Sequence, residues 1–460
     1  MKKYLAVIFA MLISVSPESC FSKNSSEKTK DKPVKGAYLD YAAAAPISLK
    51  AKETMDQVSM MRGNSSGISE FSKKMRDIEE RSARIIADKI NADSIDQIVF
   101  VNNATVANNI AILGFARKNP DACFITSKIE HKSILKVFEY LKTQNANVNF
   151  LDVNQFGFVD LKQLEKILRE NVRKKIFVSI QTLNSEIGTI QPIEKIGKLV
   201  KKYGGVLHSD ASQSFGKYDI NVKDAEIDFL TMSGYKIGAP KGIAALYVRD
   251  RKLIAPILFG TGDELFPGTK PTALIAAFAA AVSSYHFDRR EVYKKCDALM
   301  REFRRFDGIH VNSPYDSHIV SISIDGVLLK DLLKRLRGYA FSSGCSCSGM
   351  DQSNVLKAID PEEKLPSCTI RISFSDKIQD QKLKDFARRL MNVVEELRKK
   401  KDVKSSCENS SFDDQKKMVD YLKNIRTLGS KEEVKESLKK LNIEDQKKLA
   451  EYMKRMVSKK

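Results

Sequence analysis

The sequence predicts an α/β protein in which a large, mostly parallel-sheet domain carries a smaller α/β domain and appended C-terminal helices. Two observations carry this prediction. Short β-branched runs at 97–101, 175–180, 205–209, 228–232 and 242–248 alternate with helical patterns, and such alternation builds a parallel sheet covered on both faces. Beyond one long helical pattern from 272 to about 306, strand patterns near 319–324 and 369–374 begin a second unit.

A chain of 460 residues with 42% hydrophobic content buries a full core in two or three structural units, which excludes a disordered protein. The net charge of +20 favours anionic partners, but the basic residues are spread along the chain. Nucleic acid is therefore not expected as a partner, apart from a role in tRNA thiolation. Seven cysteines at irregular spacing do not read as a disulfide framework, and only Cys345 and Cys347 stand close together.

The ends differ from the body. Lys2 and Lys3 precede an apolar run from Tyr4 to Val15, so residues 1–22 have the outline of a secretory signal or short anchor, followed by a polar linker at 23–35. This pattern points to export or membrane association. The body spans 36–395, with a large part at about 50–290 and a small part at about 295–395 joined by 36–49. In the extension at 405–460, Met418, Leu422 and Ile425, then Val434, Leu438 and Leu441, repeat at helical spacing, and Ser430 with Glu433 fits a capping box.

The clearest chemical signal is Ser233-Gly-Tyr-Lys236, which follows an apolar strand and precedes Gly238-Ala-Pro-Lys-Gly242. Alone, such a lysine reads as a surface residue. The preceding strand, however, runs into Asp210-Ala-Ser-Gln213 and puts a carboxylate at a neighbouring strand end. An ionised Asp keeps a pyridine nitrogen protonated and makes the ring an electron sink, while a lysine amine condenses with an aldehyde. Phe100-Val-Asn-Asn-Ala-Thr105 adds a strand, a tight turn and a helix start, which suit a phosphate. Asn103 stands where a positive φ is expected. Together these residues outline a site for pyridoxal 5'-phosphate.

From about Tyr38 to Met391 the chain resembles the cysteine desulfurases, class V aminotransferase-fold enzymes with the fold type I architecture. The resemblance rests on Tyr38-Leu-Asp-Tyr-Ala-Ala, Asn64-Ser-Ser, Glu130-His-Lys, Asn184-Ser-Glu-Ile-Gly188, His208-Ser-Asp-Ala-Ser-Gln-Ser214, Ser233-Gly-Tyr-Lys236 and Ser342-Ser-Gly-Cys-Ser-Cys347, in family order. It implies that Lys236 anchors the cofactor covalently, Asp210 pairs with the ring nitrogen, Gln213 contacts the phenolic oxygen and His131 stacks on the ring and assists proton transfer. Ala104, Thr105 and Ser233 would hold the phosphate with Thr269 from the second subunit of a homodimer. Asn184 and Arg371 would grip the substrate carboxylate, for which a planar guanidinium fork is suited.

The resemblance also implies that Cys347 is the nucleophile. It would take sulfur from L-cysteine as a persulfide, release alanine and pass sulfur to an acceptor or iron–sulfur scaffold protein. Only a thiolate attacks well, which calls for a reducing cytoplasmic or organellar compartment. Cys345 falls where the family has serine, and could resolve or relay the persulfide. A metal site at Cys345 and Cys347, with or without Cys368, is not expected, because no second close pair or nearby His completes it.

Four departures accompany the resemblance. Tyr235 replaces a phosphate-binding His, Phe266 and Pro267 replace an Arg-Ser pair in a shortened subunit-crossing loop, Val106 and Ala107 replace polar residues, and no His follows Asn64-Ser-Ser. Each removes a polar contact, so weaker retention of the cofactor is expected. The alternatives to a desulfurase are another class V enzyme, such as a selenocysteine lyase or an aminotransferase, and a non-catalytic dimeric binding protein.

Overall fold

The computed structural model describes residues 36–314, 316–343, 353–362, 364–366 and 368–408. The signal-like segment, the linker, Cys345, Cys347 and the repeats of the C-terminal extension lie outside the described residues.

After α1 (Leu49–Ser59) and α2 (Glu70–Ile90), seven strands form the large sheet: β1 (Ile98–Val101), β2 (Cys123–Ser127), β3 (Asn147–Leu151), β4 (Ile176–Ser179), β5 (Val206–Asp210), β6 (Phe229–Ser233) and β7 (Ala244–Val248). Their order is β1-β7-β6-β5-β4-β2-β3, parallel from β3 to β6, with β7 antiparallel to both of its neighbours. Helices cover both faces, so the central strands are buried throughout and side chains alternate between two cores. Phe177 and Phe229 join Phe115, Phe124 and Phe138 on one face, while Val178 and Leu230 join Ile86, Ile125 and Phe278 on the other. The runs named from the sequence do not include β2 and β3. The latter is an edge strand, largely half-buried, with Asn147 and Asn149 alternating along it.

The connecting helices are α3 (Ala104–Lys118), α4 (Lys132–Thr143), α5 (Leu161–Glu170) and α6 (Ile193–Lys202). Beyond β7, the single helix expected from 272 to about 306 is two, α7 (Thr272–Ser284) and α8 (Arg289–Arg304). Asp288 ends the continuity by accepting from Arg290 N and Glu291 N, which starts a new helix. The intervening Phe287 turns inward and packs edge-on against His318.

The small sheet has the order β10-β11-β9-β8, all antiparallel, from β8 (Ile309–Val311), β9 (Ile319–Ile324), β10 (Ser342–Ser343) and β11 (Cys368–Ser373). Around it lie α8, α9 (Leu329–Arg335), α10 (Asn354–Ile359) and α11 (Asp380–Glu408), with Phe303, Ile322, Ile370, Phe386 and Leu390 in the shared core. The segment before α1 belongs to this layer: Leu39 N donates to Ala340 O at 2.7 Å and Ser373 N to Leu39 O at 2.8 Å. Residues 40–45 thereby run from the small sheet toward Lys236, since Ala45 N donates to Tyr235 O.

Candidate active site

Parallel strands present their carboxyl ends as a crevice for ligands, and here β5 delivers Asp210 and β6 delivers Ser233, both buried. Lys236 follows on a one-turn 3-10 segment, Gly234–Ile237, closed by Gly238 at φ 86°, where a side chain would be strained. Its amine donates to the carbonyls of Ala42 and, at 3.0 Å, Ala43. Burial, reinforced by the Arg371 cation, brings the Lys236 pKa down to about 8, with Asp40 and Asp210 opposing. The amine is thus close to its neutral, nucleophilic form. Tyr235 lays its ring 4.9 Å from the same nitrogen.

Asp210 Oδ1 accepts from Ser212 N at 2.9 Å, and Oδ2 accepts from Asn108 Nδ2 at 3.0 Å. Gln213 donates from Nε2 to Ala42 O at 2.8 Å, which fixes its amide orientation. One Nε2 hydrogen therefore remains for a phenolic oxygen, while the buried Oε1 has no partner among the described residues.

His131 is the N-cap of α4, with Nδ1 accepting from Ser133 N at 3.1 Å. Across from it, Thr105 lies in the first turn of α3, and both residues line one hollow between these helices. The positive φ expected of Asn103 is not found. The residue is extended, at φ −164° and ψ 164°, because it serves as the N-cap of α3 and accepts from Val106 N. Ala104 and Thr105 then follow as the opening residues of a 15-residue helix whose dipole favours an anion.

Arg371 lies directly across from Ser342 in the β10–β11 pair. Its guanidinium reaches Asp40 Oδ1 at 2.8 Å, Ser342 Oγ at 2.9 Å and Ser185 O at 2.8 Å, while the buried Nε is unpartnered among the described residues. Asn184 is largely committed: Oδ1 accepts from Glu186 N and Ile187 N, and Nδ2 donates to Ile129 O, which leaves one amide hydrogen. Thr269 is exposed on the segment after Gly268, and no contact among the described residues joins it to the other site groups. Cys347 lies in the undescribed stretch that continues from β10.

Asp40 and Glu130 stand within sequence motifs that assign them no role of their own, and Asn108 and Lys217 join them at this site. Burial raises the Glu130 carboxyl to about 8 despite bonds from Ser127 Oγ and Gln181 N. Burial, with Lys236 nearby, lowers Lys217 to about 7, and its amine donates to Gln213 O at 3.2 Å. Only proximity in space marks them, and sequence spacing does not encode it. The arrangement offers a carboxylate, a nucleophilic amine, a helix start and a guanidinium around one crevice, a donor set suited to a planar ring with an anionic tail and to a small carboxylic acid.

Comparison with known proteins gives the same direction. Residues 37–386 match the model of the family described as aminotransferase class-V. A cysteine desulfurase IscS of Buchnera aphidicola subsp. Acyrthosiphon pisum is 34% identical over 355 residues, covering 73% of this chain and 87% of the relative. Among solved structures, a NifS-like protein from Rickettsia africae superposes with TM-score 0.69 at 27% identity, covering 78% of this chain and 99% of the other. A structure of SspA in complex with cysteine has TM-score 0.65 at 32% identity, covering 73% of this chain and 98% of that one.

Proposed function

Because the chain belongs to the aminotransferase class-V family and is a cysteine desulfurase, we propose that it carries out its chemistry at the Lys236 crevice with pyridoxal phosphate. The enzyme converts L-cysteine to L-alanine and supplies sulfur for iron–sulfur assembly. The observation that carries the assignment of the site is the convergence of Lys236, Gln213 and Arg371 on the segment Asp40–Ala43.

The residues present fit the cofactor. Buried Asn108 Oδ1, Ser212 Oγ, Gln213 Oε1 and Arg371 Nε have no partner among the described residues, so the crevice holds unspent polar capacity. Lys236 would hold the cofactor covalently, Asp210 its ring nitrogen, Gln213 its phenolic oxygen and His131 its ring face. Ala104, Thr105 and Ser233 would hold the phosphate. When bound, the cofactor supplies an electron sink for the carbon that loses its proton.

The protein's own groups do the rest. Arg371 and the remaining Asn184 hydrogen orient the substrate carboxylate, and the Lys236 amine takes the α-proton. The Cys347 thiolate attacks the substrate sulfur, forming an S–S bond as the C–S bond breaks. The electron pair stays with the substrate carbon, which takes a proton and becomes the methyl group of alanine. A persulfide remains on Cys347 for transfer to an acceptor protein.

A second copy of the chain completes the site. Leu49, Met60, Ile68 and Phe71, on and between α1 and α2, are exposed at 72%, 85%, 102% and 57%, and Phe259 at 75%. Such apolar exposure suits a homodimer interface, and a dimer would let Thr269 serve the partner's phosphate site. The thiolate chemistry calls for a reducing compartment. Peptide mass spectrometry after incubation with L-cysteine tests the assignment. The added sulfur is expected on Cys347, and its recovery only on Cys345 would overturn that role.

A further inference from the structure

We propose that Asn108 and Ser133 are positioning residues that link the Asp210 carboxylate to His131 and hold the imidazole with its proton on Nε2. The proposal rests on the reading of Asp210 and His131 as cofactor-facing groups, but the link itself is built by the protein alone.

Asn108 is fully buried in α3, and its Nδ2 donates to Asp210 Oδ2 at 3.0 Å and to Ser133 Oγ at 2.9 Å. The amide cannot be turned over, because a carboxylate oxygen only accepts and must face the NH2 group. Both amide hydrogens are thereby spent, and Asn108 Oδ1 is left buried without a partner among the described residues. An orphaned acceptor is costly, so the residue is arranged for its two donations.

Ser133 Oγ already accepts from Asn108, so its own hydrogen is free for His131 Nδ1, 2.7 Å away. The Ser133 backbone N–H points at the same nitrogen at 3.1 Å. Two donors face Nδ1, which must be the bare acceptor, and the ring proton sits on Nε2. The chain Asp210–Asn108–Ser133–His131 thus crosses from β5 through α3 to α4 in three hydrogen bonds. His131 opens on the hollow lined by Thr105, Asn109 and Leu113 of α3 and by Lys132, Lys136 and Tyr140 of its own helix. Lys132, Lys136 and Tyr140 are the charged or titratable groups of that lining, and none of them is among the partners of Nδ1. Nε2–H is then the donor that His131 offers to a ligand.

The test is side-chain 15N NMR of histidine-labelled protein without and with pyridoxal phosphate, at alkaline pH. The chain has five histidines, and His131→Gln assigns the signal. Wild type should show a bare Nδ1 and a protonated Nε2. Ser133→Ala should move the Nδ1 signal, and Ser133→Thr, which keeps the hydroxyl, should restore it. Asn108→Ala should move it in wild type but not in the Ser133→Ala background, since Asn108 acts through Ser133. The buried His208 and His318 should stay in place and report intact folding. A protonated Nδ1 in wild type, or an Asn108→Ala effect that persists undiminished without the Ser133 hydroxyl, would overturn the link. In turnover, both variants should lower kcat with little change in KM. The NMR result is read on cofactor-free protein, so failure of the desulfurase reading and failure of the link remain distinct.

Discussion

Arg371 and Asp40 are ion-paired at 2.8 Å inside the candidate site, with side chains only 13% and 19% exposed. The arginine that would receive a substrate carboxylate therefore already has a resident one, and would serve both through its separate guanidinium nitrogens. Lysine has one nitrogen and cannot do this. Arg371→Lys should raise KM for L-cysteine about tenfold or more, the loss expected for a charge-assisted bond, with a smaller change in kcat. Steady-state alanine formation checks it, and an unchanged KM would remove Arg371 from substrate binding.

If Lys236 holds the cofactor, its amine should set the pH dependence of cofactor capture. Its pKa is lowered to about 8, so the amine is mostly protonated below that pH and mostly neutral above it. Uptake of pyridoxal phosphate by cofactor-free protein should therefore accelerate as pH rises through about 8 and then level off. The Asp40 charge opposes the lowering. Asp40→Asn should move the midpoint to lower pH, as followed by visible absorbance.

Tyr235 packs its ring against the Lys236 amine, at the position where the resemblance to the cysteine desulfurases implies a phosphate-binding histidine. Tyr235→His should slow cofactor loss by about tenfold if it regains one charge-assisted hydrogen bond. The release rate on dilution into a pyridoxal phosphate trap gives the answer. A rate equal to wild type would show that the ring, not the missing imidazole, suits this site.

Glu130 makes a stability prediction. Burial raises its pKa to about 8 in the folded protein, above the ordinary carboxylate value, so its contribution to stability is present at low pH and is lost as pH rises through about 8. Glu130→Gln mimics the protonated form. Relative to wild type it should melt at higher temperature at pH 9 and at a similar temperature at pH 5, measured by calorimetry. A deficit at pH 9 would mean that the charged carboxylate is stabilising.

Strand-end motifs made much of this protein legible from its sequence. The alternation of β-branched runs and helices marked the strands that carry Asp210 and Ser233, because buried parallel strands need continuous apolar character. Lys236, Asp210 and Thr105 announced themselves by chemistry placed at turns. Asn103 shows a limit: residue type suggested a left-handed turn, but its side chain caps α3 from an extended backbone. The break at Asp288 was hidden because both flanking segments have helical character, and one capping carboxylate separates them. Asp40, Asn108 and Ser133 were not legible as site residues, since Asp40 and Asn108 act on partners far away in sequence and Ser133 reaches the site only through Asn108 of another helix.

Lys236 and Cys347 would divide the work, one holding the cofactor and moving protons, the other taking sulfur. The most direct measurement of this division records visible absorbance and L-cysteine turnover on the same samples of wild type, Lys236→Ala and Cys347→Ser. Wild type should show the absorbance of lysine-bound cofactor and release alanine. Lys236→Ala should lose both, and Cys347→Ser should keep the absorbance while alanine formation falls to background. Full alanine formation by Cys347→Ser, or by Lys236→Ala, would rule out that division of roles.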